Sequence, residues 1–186
     1  MSKRPFIERR TRFYLGCEGE SEQAYGAFLQ RLCDDAGLSV QIVARNLQPA
    51  GDPNALARRA VADAKAEHAK APIAARAILI DADRLADLAD RGQAAQRMLD
   101  QARFITIWQH PDHEGYLLRH LPGHGMDNPP RGRSLEALQA VWPRYHKAMA
   151  SRDLGLMLDQ EAILRAGRII REFQQFLQMI GLMPQL

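Results

Sequence analysis

The stretch Ala77-Ile-Leu-Ile-Asp-Ala-Asp83 joins a wholly apolar strand to two aspartates at its carboxyl end. Strands that are apolar at every position are usually covered on both faces, as in parallel sheets with helices on either side. In such open sheets, ligands bind in the crevice beyond the carboxyl ends of the strands. The stretch therefore predicts both the type of fold and the edge of the sheet that carries a functional site.

Strand and helix signals alternate on both sides of this stretch. Short apolar runs predict further strands near residues 12–17, 40–44 and 104–108. Apolar residues at helical spacing predict helices over about 21–36, 53–70 and 85–102, the last with a break near Gly92, and a further helix after Pro111. This order favours an α/β fold: a mostly parallel, four-stranded, Rossmann-like sheet flanked by helices, with right-handed crossovers.

The C-terminal part of the chain is predicted to be a helical extension. Two helices are expected, near 135–151 and 159–180, after a loop rich in Gly and Pro. The apolar stripe of the second favours docking onto the sheet or the preceding helix, and a seam for a homo-oligomer or a partner is the alternative. We expect one domain with these bounds: 1–186 overall, about 12–125 for the core and about 134–182 for the C-terminal helices.

Composition and charge are those of an ordinary globular protein. Of the 186 residues, 46% are apolar and 25% are charged, and the formal net charge of +3 permits a polyanionic partner without demanding one. The two cysteines are explained as buried thiols rather than as a secretory framework. No apolar run approaches the roughly 20 residues that span a bilayer. We expect a cytoplasmic protein that does not enter a membrane.

Four carboxylates follow the predicted strand ends: Glu18 the first strand, Asp81 and Asp83 the third, and Glu114 the fourth. Acidic side chains gathered at one edge repel one another unless a cation lies between them. Asp81 and Asp83 are two residues apart, so both can reach one ion if the strand continues. Hard oxygen ligands suit Mg²⁺ or Mn²⁺, so the pattern suggests a divalent-metal site and phosphoryl-transfer chemistry. Helix capping by Asp83 is the structural alternative.

Three motifs in this order resemble the RloB-like proteins, which carry a TOPRIM-type catalytic core. They are Glu18-Gly-Glu-Ser-Glu22 followed by Tyr25, Asp81-Ala-Asp83, and His110-Pro-Asp-His-Glu-Gly-Tyr-Leu-Leu-Arg-His120, which is similar to the family's Asn-Pro-x-Phe-Glu-x-Trp-Leu-x-x-His segment. Tyr145 and Lys147 are similar to a Tyr and a Lys in the family's C-terminal helical part. The resemblance covers about residues 12–170. It departs at His110, His113, Tyr116 and Ser21, which stand where the family has Asn, Phe, Trp and Thr.

The resemblance implies a TOPRIM-like sheet and a metal-dependent nuclease, often coupled to an ATPase partner in anti-phage defence. On this hypothesis Asp81 and Asp83 bind Mg²⁺ or Mn²⁺, which polarises the phosphodiester and activates water. Glu18 acts as general acid/base or as ligand to a second metal ion, and Glu114 completes the shell or orients water. Lys147 offsets charge on the phosphate in the transition state, unless it is an ordinary surface lysine.

For several residues the sequence allows both a functional and a structural interpretation. Glu22 is a further candidate metal ligand, or a favourable charge at a helix N-terminus that Ser21 could cap. Arg84 could steer the substrate backbone or form a surface ion pair. The four histidines at 110, 113, 120 and 124 match no zinc motif, and we expect His113 or His120 to contact phosphate or donate a proton if either is functional.

The rival function is a non-catalytic regulatory or partner-binding subunit that keeps the TOPRIM-like fold and docks through its C-terminal helices. The intact acidic set argues against it, because a binding module has no need to cluster four carboxylates. For the nuclease hypothesis, both DNA and RNA are candidate substrates.

Overall fold

The protein was analysed as a computed structural model that describes residues 9–49, 52–83 and 89–185. Four strands within these residues form one sheet. They are β1 (Thr11–Cys17), β2 (Val40–Asn46), β3 (Ala75–Asp81) and β4 (Phe104–Gln109). All neighbouring strands pair in parallel, in the order β2-β1-β3-β4. The prediction of an α/β fold with a parallel, four-stranded, Rossmann-like sheet is confirmed.

Helices follow each strand and fill the C-terminal part. In the described parts of the chain they are α1 (Glu20–Asp35), α2 (Pro53–Lys70), α3 (Ala89–Gln101), α4 (His113–Leu118), α5 (Ser134–Val141), α6 (Ser151–Leu154), α7 (Gln160–Ile169) and α8 (Arg171–Ile180). Within the described ranges, no helix is both long and apolar enough to cross a membrane.

The strand order places the ends of β1 and β3 side by side. From β1 the chain crosses to β2 on one flank, and it then returns to the other flank of β1 as β3. The crossover direction therefore reverses between β1 and β3, where Cys17 lies opposite Leu79. This topological switch point is where open α/β sheets bind ligands.

Each face of the sheet is covered by its own apolar core, as the wholly apolar strand predicts. Leu15 of β1 belongs to a core with α1 and the C-terminal helices, while the next residue toward the N-terminus, Tyr14, belongs to a core with α2 and α3. Both side chains are fully buried because successive residues of a strand point to opposite faces. The two layers of helices hold the strand ends at a fixed spacing.

Three helix predictions are wrong. The helix expected over 135–151 ends at Val141, because Pro143 follows the C-cap residue Trp142 and has no N–H to donate to a further helical turn. The helix expected over 159–180 is divided at Ile170, whose φ of −103° and ψ of 102° are extended. The expected break at Gly92 does not occur, since α3 runs through it. The predicted helical residues 85–88 lie outside the described chain, as does Arg84.

The division at Ile170 has a packing reason. It lets α8 fold back against α7, so that Leu177 lies directly on Gly167. A Cβ added to Gly167 would come within 2.7 Å of Leu177 Cδ1, which is closer than real carbon contacts. Two residues ten positions apart cannot touch in a continuous helix, so the apolar stripe is buried by folding back rather than by extending.

Candidate catalytic site

A polar cavity of about 320 Å³ lies at the carboxyl edge of the sheet, at the switch point between β1 and β3. Its walls bring together segments from the whole length of the chain. Glu18, Glu22, Asp81, Glu114 and Lys147 all line it, together with His113 and Gln48. Among the described residues, the predicted metal ligand Asp83 does not line this cavity.

Glu18 and Glu22 are held by backbone amides. Glu18 is only 4% exposed, and its Oε2 accepts a hydrogen bond from the backbone N–H of Asp81 at 3.2 Å. Glu22 is similarly buried, and its Oε2 accepts from the N–H of Gly19 at 3.0 Å, which caps α1. These bonds fix each carboxylate through one oxygen. Glu22 therefore has a capping role as well as a place in the cavity wall.

Asp81 is a strongly perturbed carboxyl group in the cavity wall. Burial, followed by the charges of Glu18 and Glu22, raises its pKa to about 9. Its Oδ1 is buried and has no hydrogen-bond partner among the described residues. Without a cation, the side chain is therefore neutral at pH 7. A bound cation would reverse this, because positive charge favours the carboxylate.

Asp83 faces a different environment. Its Oδ2 lies 3.5 Å from Nε of Arg131, which belongs to the loop before α5, and its side chain is 23% exposed. Its backbone N–H donates to the carbonyl oxygen of Pro111. The chain turns after β3, so the strand does not continue through Asp83 and the two aspartates do not share one wall. Asp83 still acts on Asp81 through its charge, as the weakest of the named influences on that pKa.

Glu114 is held by two side chains from the segment between α5 and α6. Tyr145 donates its hydroxyl to Glu114 Oε1 at 3.2 Å, and Lys147 Nζ lies 3.3 Å from Glu114 Oε2. Glu114 is 4% exposed. Its buried carboxylate is thus satisfied at both oxygens, by one hydroxyl and one ammonium group.

The segment carrying Tyr145 and Lys147 is tied to α1. The backbone N–H of Ala148 donates to Ser21 Oγ at 3.0 Å. Ser21 therefore does not cap α1, as the sequence suggested, because Gly19 occupies the N-cap position. The hydroxyl instead fixes the segment over the cavity, where Ala148 has a φ of +57° that a non-glycine residue seldom adopts.

His113 lines the cavity, and the sequence did not identify the residue that orients it. Gln109 is the last residue of β4 and is fully buried, with its Nε2 at 2.6 Å from His113 Nδ1. Because the amide nitrogen donates, Nδ1 accepts, and the neutral ring carries its proton on Nε2. Burial lowers the pKa of His113 to about 4. Gln109 could have been found from the sequence, because it is a polar residue at the end of a strand, and the same criterion identified Asp81.

The other histidines lie elsewhere. His120 is fully buried: its Nδ1 donates to the carbonyl oxygen of Tyr116 at 3.0 Å, and its Nε2 accepts from the Tyr25 hydroxyl at 2.7 Å. Burial lowers its pKa to about 3, so it stays neutral and packs in the core. His124 pairs with Asp127 at 2.7 Å on the surface. Of the two histidines considered for a role with phosphate, the structure places only His113 in the cavity wall.

The donor set suits a hard divalent cation, although it is not a preformed cage. Among the described residues, no three His, Cys, Asp or Glu side chains are arranged as a metal-binding group. Mg²⁺ commonly uses only one or two carboxylates and completes its shell with water and substrate phosphate. Oδ1 of Asp81 has no hydrogen-bond partner within the described ranges, and Glu18 accepts from the N–H of the same residue, so these two carboxyl groups meet that smaller requirement. The residues present therefore fit Mg²⁺ or Mn²⁺ in kind.

Comparison with models of known protein families, with curated proteins and with solved structures finds no match for this chain. The resemblance to RloB-like proteins thus stays a hypothesis that rests on the motifs in the sequence.

Proposed function

We propose that the protein is a Mg²⁺-dependent nuclease that hydrolyses phosphodiester bonds. The observation that carries the proposal is that Glu18, Glu22 and Asp81 line one cavity at the switch point, where the buried Oδ1 of Asp81 has no hydrogen-bond partner among the described residues. Burial, together with repulsion by Glu18 and Glu22, raises the pKa of Asp81, a cost that a purely structural site would have no reason to retain. A cation and a phosphate group together would complement these charges.

Each residue then has a definite task. Asp81 and Glu18 would hold the metal ion, which supplies a Lewis acid and lowers the pKa of bound water. Glu114 orients water, since its carboxylate is held by Tyr145. Lys147 is 66% exposed at its side chain, so its ammonium group can leave Glu114 and meet a phosphate oxygen.

His113 adds a neutral donor. Because Gln109 occupies its Nδ1, the Nε2–H is left to donate a hydrogen bond. In the cavity wall, such a donor can stabilise charge that develops on a phosphate oxygen or a leaving group. Gln109 is in this sense a positioning residue, since it acts through His113.

The test is cleavage of labelled single-stranded and duplex DNA and RNA with Mg²⁺ or Mn²⁺, against the same reactions in EDTA. We expect metal-dependent cleavage that Asp81→Asn reduces by at least about 10²-fold. Asp34→Asn is the matched control, since this exposed residue lies in the last turn of α1, away from the cavity. Full activity of Asp81→Asn in an active preparation would refute the assignment.

The resemblance to RloB-like proteins supports three wider proposals. These are an ATPase partner protein, a role in anti-phage defence and a cytoplasmic location. The partner is tested by co-purification from the native host, followed by cleavage assays with and without ATP. If the complex folds, binds its partner and never cleaves nucleic acid, the rival function of a non-catalytic subunit is favoured instead.

A further inference from the structure

A second cavity, of about 460 Å³, is lined by part of the chain segment that also lines the candidate catalytic cavity, and we call it the groove. The groove is lined by Trp142, Arg144, His146, Met149, Leu156 and Met157, among others. Lys147 and Ala148, which lie between His146 and Met149 in the chain, line the catalytic cavity. One segment therefore forms a wall of both cavities. The volume is within the range of about 300–1,000 Å³ that is usual for ligand sites.

The groove has an apolar floor and an unusually exposed apolar rim. Trp142 and Met149 are each only 6% exposed, and the Trp142 ring lies 5.3 Å from that of Tyr145. At the rim, Leu156 is 81% exposed and Met157 is 41% exposed. Such a surface suits a flat heteroaromatic ring, which every nucleobase presents.

The charges around the groove suit a nucleic acid strand. Arg144, His146 and Lys147 are exposed, and they follow one another closely along the segment. Asp153 also lines the groove, but its carboxylate lies 3.3 Å from Nε of Arg152. Basic side chains next to an apolar and aromatic surface are the combination that binds single strands, by phosphate contact and base stacking.

His146 links the groove to the catalytic cavity. Its Nδ1 lies 3.0 Å from the carbonyl oxygen of Lys147, which can only accept, so Nδ1 donates. In the neutral ring, Nε2 is then an acceptor for an N–H group of a base, such as the ring N3–H of thymine. A base in the groove and a phosphate at Lys147 would thus be bound by consecutive residues.

We propose that the groove binds an unpaired nucleobase of a single-stranded nucleic acid, with the adjoining phosphodiester at Lys147. This inference rests on the proposed function for its class of substrate, and it adds a preference for unpaired strands. A base inside a duplex is stacked and paired and cannot enter the groove unless it is flipped out. An apolar side chain of a partner protein would cover Leu156 and Met157 but would make no charge interaction with the Arg144 guanidinium that also lines the groove.

The test is fluorescence anisotropy in EDTA, with the full chain and a labelled thymidine strand of about 12 nucleotides, a typical site size for single-strand binders. Leu156→Asp places a negative charge at the rim, and Met126→Asp makes the same change at a residue that is 84% exposed outside the groove. We expect Leu156→Asp to weaken binding about tenfold and Met126→Asp to leave it unchanged. With an abasic strand of equal length, the two variants should bind equally.

Three results would overturn the inference. They are equal binding by the two variants, equal binding of thymidine and abasic strands by the wild type, and a self-associated wild type that Leu156→Asp converts to monomer in analytical ultracentrifugation. The last would show that a second copy occupies the groove. Failure of the proposed function is distinct, because the wild type would then bind the strand through the groove yet cleave nothing with Mg²⁺.

Discussion

Replacing Asp81 with Asn should stabilise the metal-free protein. In the folded state the pKa of Asp81 is about 9, against an ordinary value of 3.8, first because of burial and then because of Glu18 and Glu22. Between these two pH values the folded state binds a proton that the unfolded state has lost. The stability contributed by this group therefore falls as pH rises from about 4 to 9, which is the opposite of the usual behaviour of a salt-bridged aspartate.

The size of the effect follows from the same values. At pH 7, about three pH units above the ordinary pKa of Asp, the folded protein must keep the Asp81 carboxyl protonated. The resulting loss in the free energy of unfolding has an upper limit on the order of 4 kcal/mol. Asn has nearly the same shape as protonated Asp and needs no proton, so Asp81→Asn should raise the free energy of unfolding at pH 7 by roughly 1–4 kcal/mol. For a chain of this size, each kcal/mol raises Tm by about 2–4 °C.

The assay is thermal unfolding in EDTA at several pH values, followed by circular dichroism. Asp83→Asn is the matched control: it makes the same change two residues away, where the carboxylate forms a partly exposed pair with Arg131 and should contribute at most about 1 kcal/mol. Asp81→Asn should also flatten the fall in Tm above pH 5. A Tm at or below that of the wild type at pH 7–8 would refute the reasoning.

Added Mg²⁺ gives the complementary measurement. A ligand that binds only the folded state stabilises it by about 2.7 kcal/mol at 100 times its Kd. We expect this shift for the wild type and its loss in Asp81→Asn, since Oδ1 of Asp81, which has no hydrogen-bond partner among the described residues, is the oxygen that would bind. An equal shift in both proteins would place the metal ion elsewhere.

Three further outcomes are expected. Glu18→Gln should lower the rate of metal-dependent cleavage by at least about 10²-fold. Its Tm should change little, because the amide oxygen of Gln can still accept from the Asp81 N–H, and an unchanged cleavage rate would exclude Glu18 from the mechanism. Lys147→Met should lower kcat more than Lys147→Arg does, and equal rates for the two would reduce Lys147 to a structural ion pair. Gly26→Ala should lower the free energy of unfolding, measured with a chemical denaturant, by about 1–3 kcal/mol, because the new Cβ would lie 2.8 Å from Ala44 Cβ. An unchanged free energy of unfolding would mean that α1 can move away from the sheet.

The sequence alone determined the four strands, their parallel sheet and the edge of the sheet at which carboxylates gather. The wholly apolar strand at 77–80 required cover on both faces, and helical spacing between strands required crossovers, so a parallel sheet followed. Carboxylates placed after strand ends then had to lie at one edge, as Glu18 and Asp81 do. These inferences succeeded because periodicity and position along a strand are local properties.

The tertiary structure decided which of these carboxylates face one another. No local pattern states that β1 lies between β2 and β3, yet that order makes Glu18 and Asp81 neighbours. Asp83 turns toward Arg131 because the strand ends before it, a geometric fact that the spacing of two aspartates does not contain.

Long-range contacts explain the remaining differences. Ser21 lies inside α1, because Gly19 is the N-cap residue, and its hydroxyl instead accepts a hydrogen bond from the N–H of Ala148, 127 positions away in the chain. The same segment brings Tyr145 and Lys147 to Glu114, and the break at Ile170 arises where α8 folds back onto α7. Such contacts join residues that are far apart in the chain. They therefore depend on how the whole fold packs and not on the neighbours of each residue in sequence.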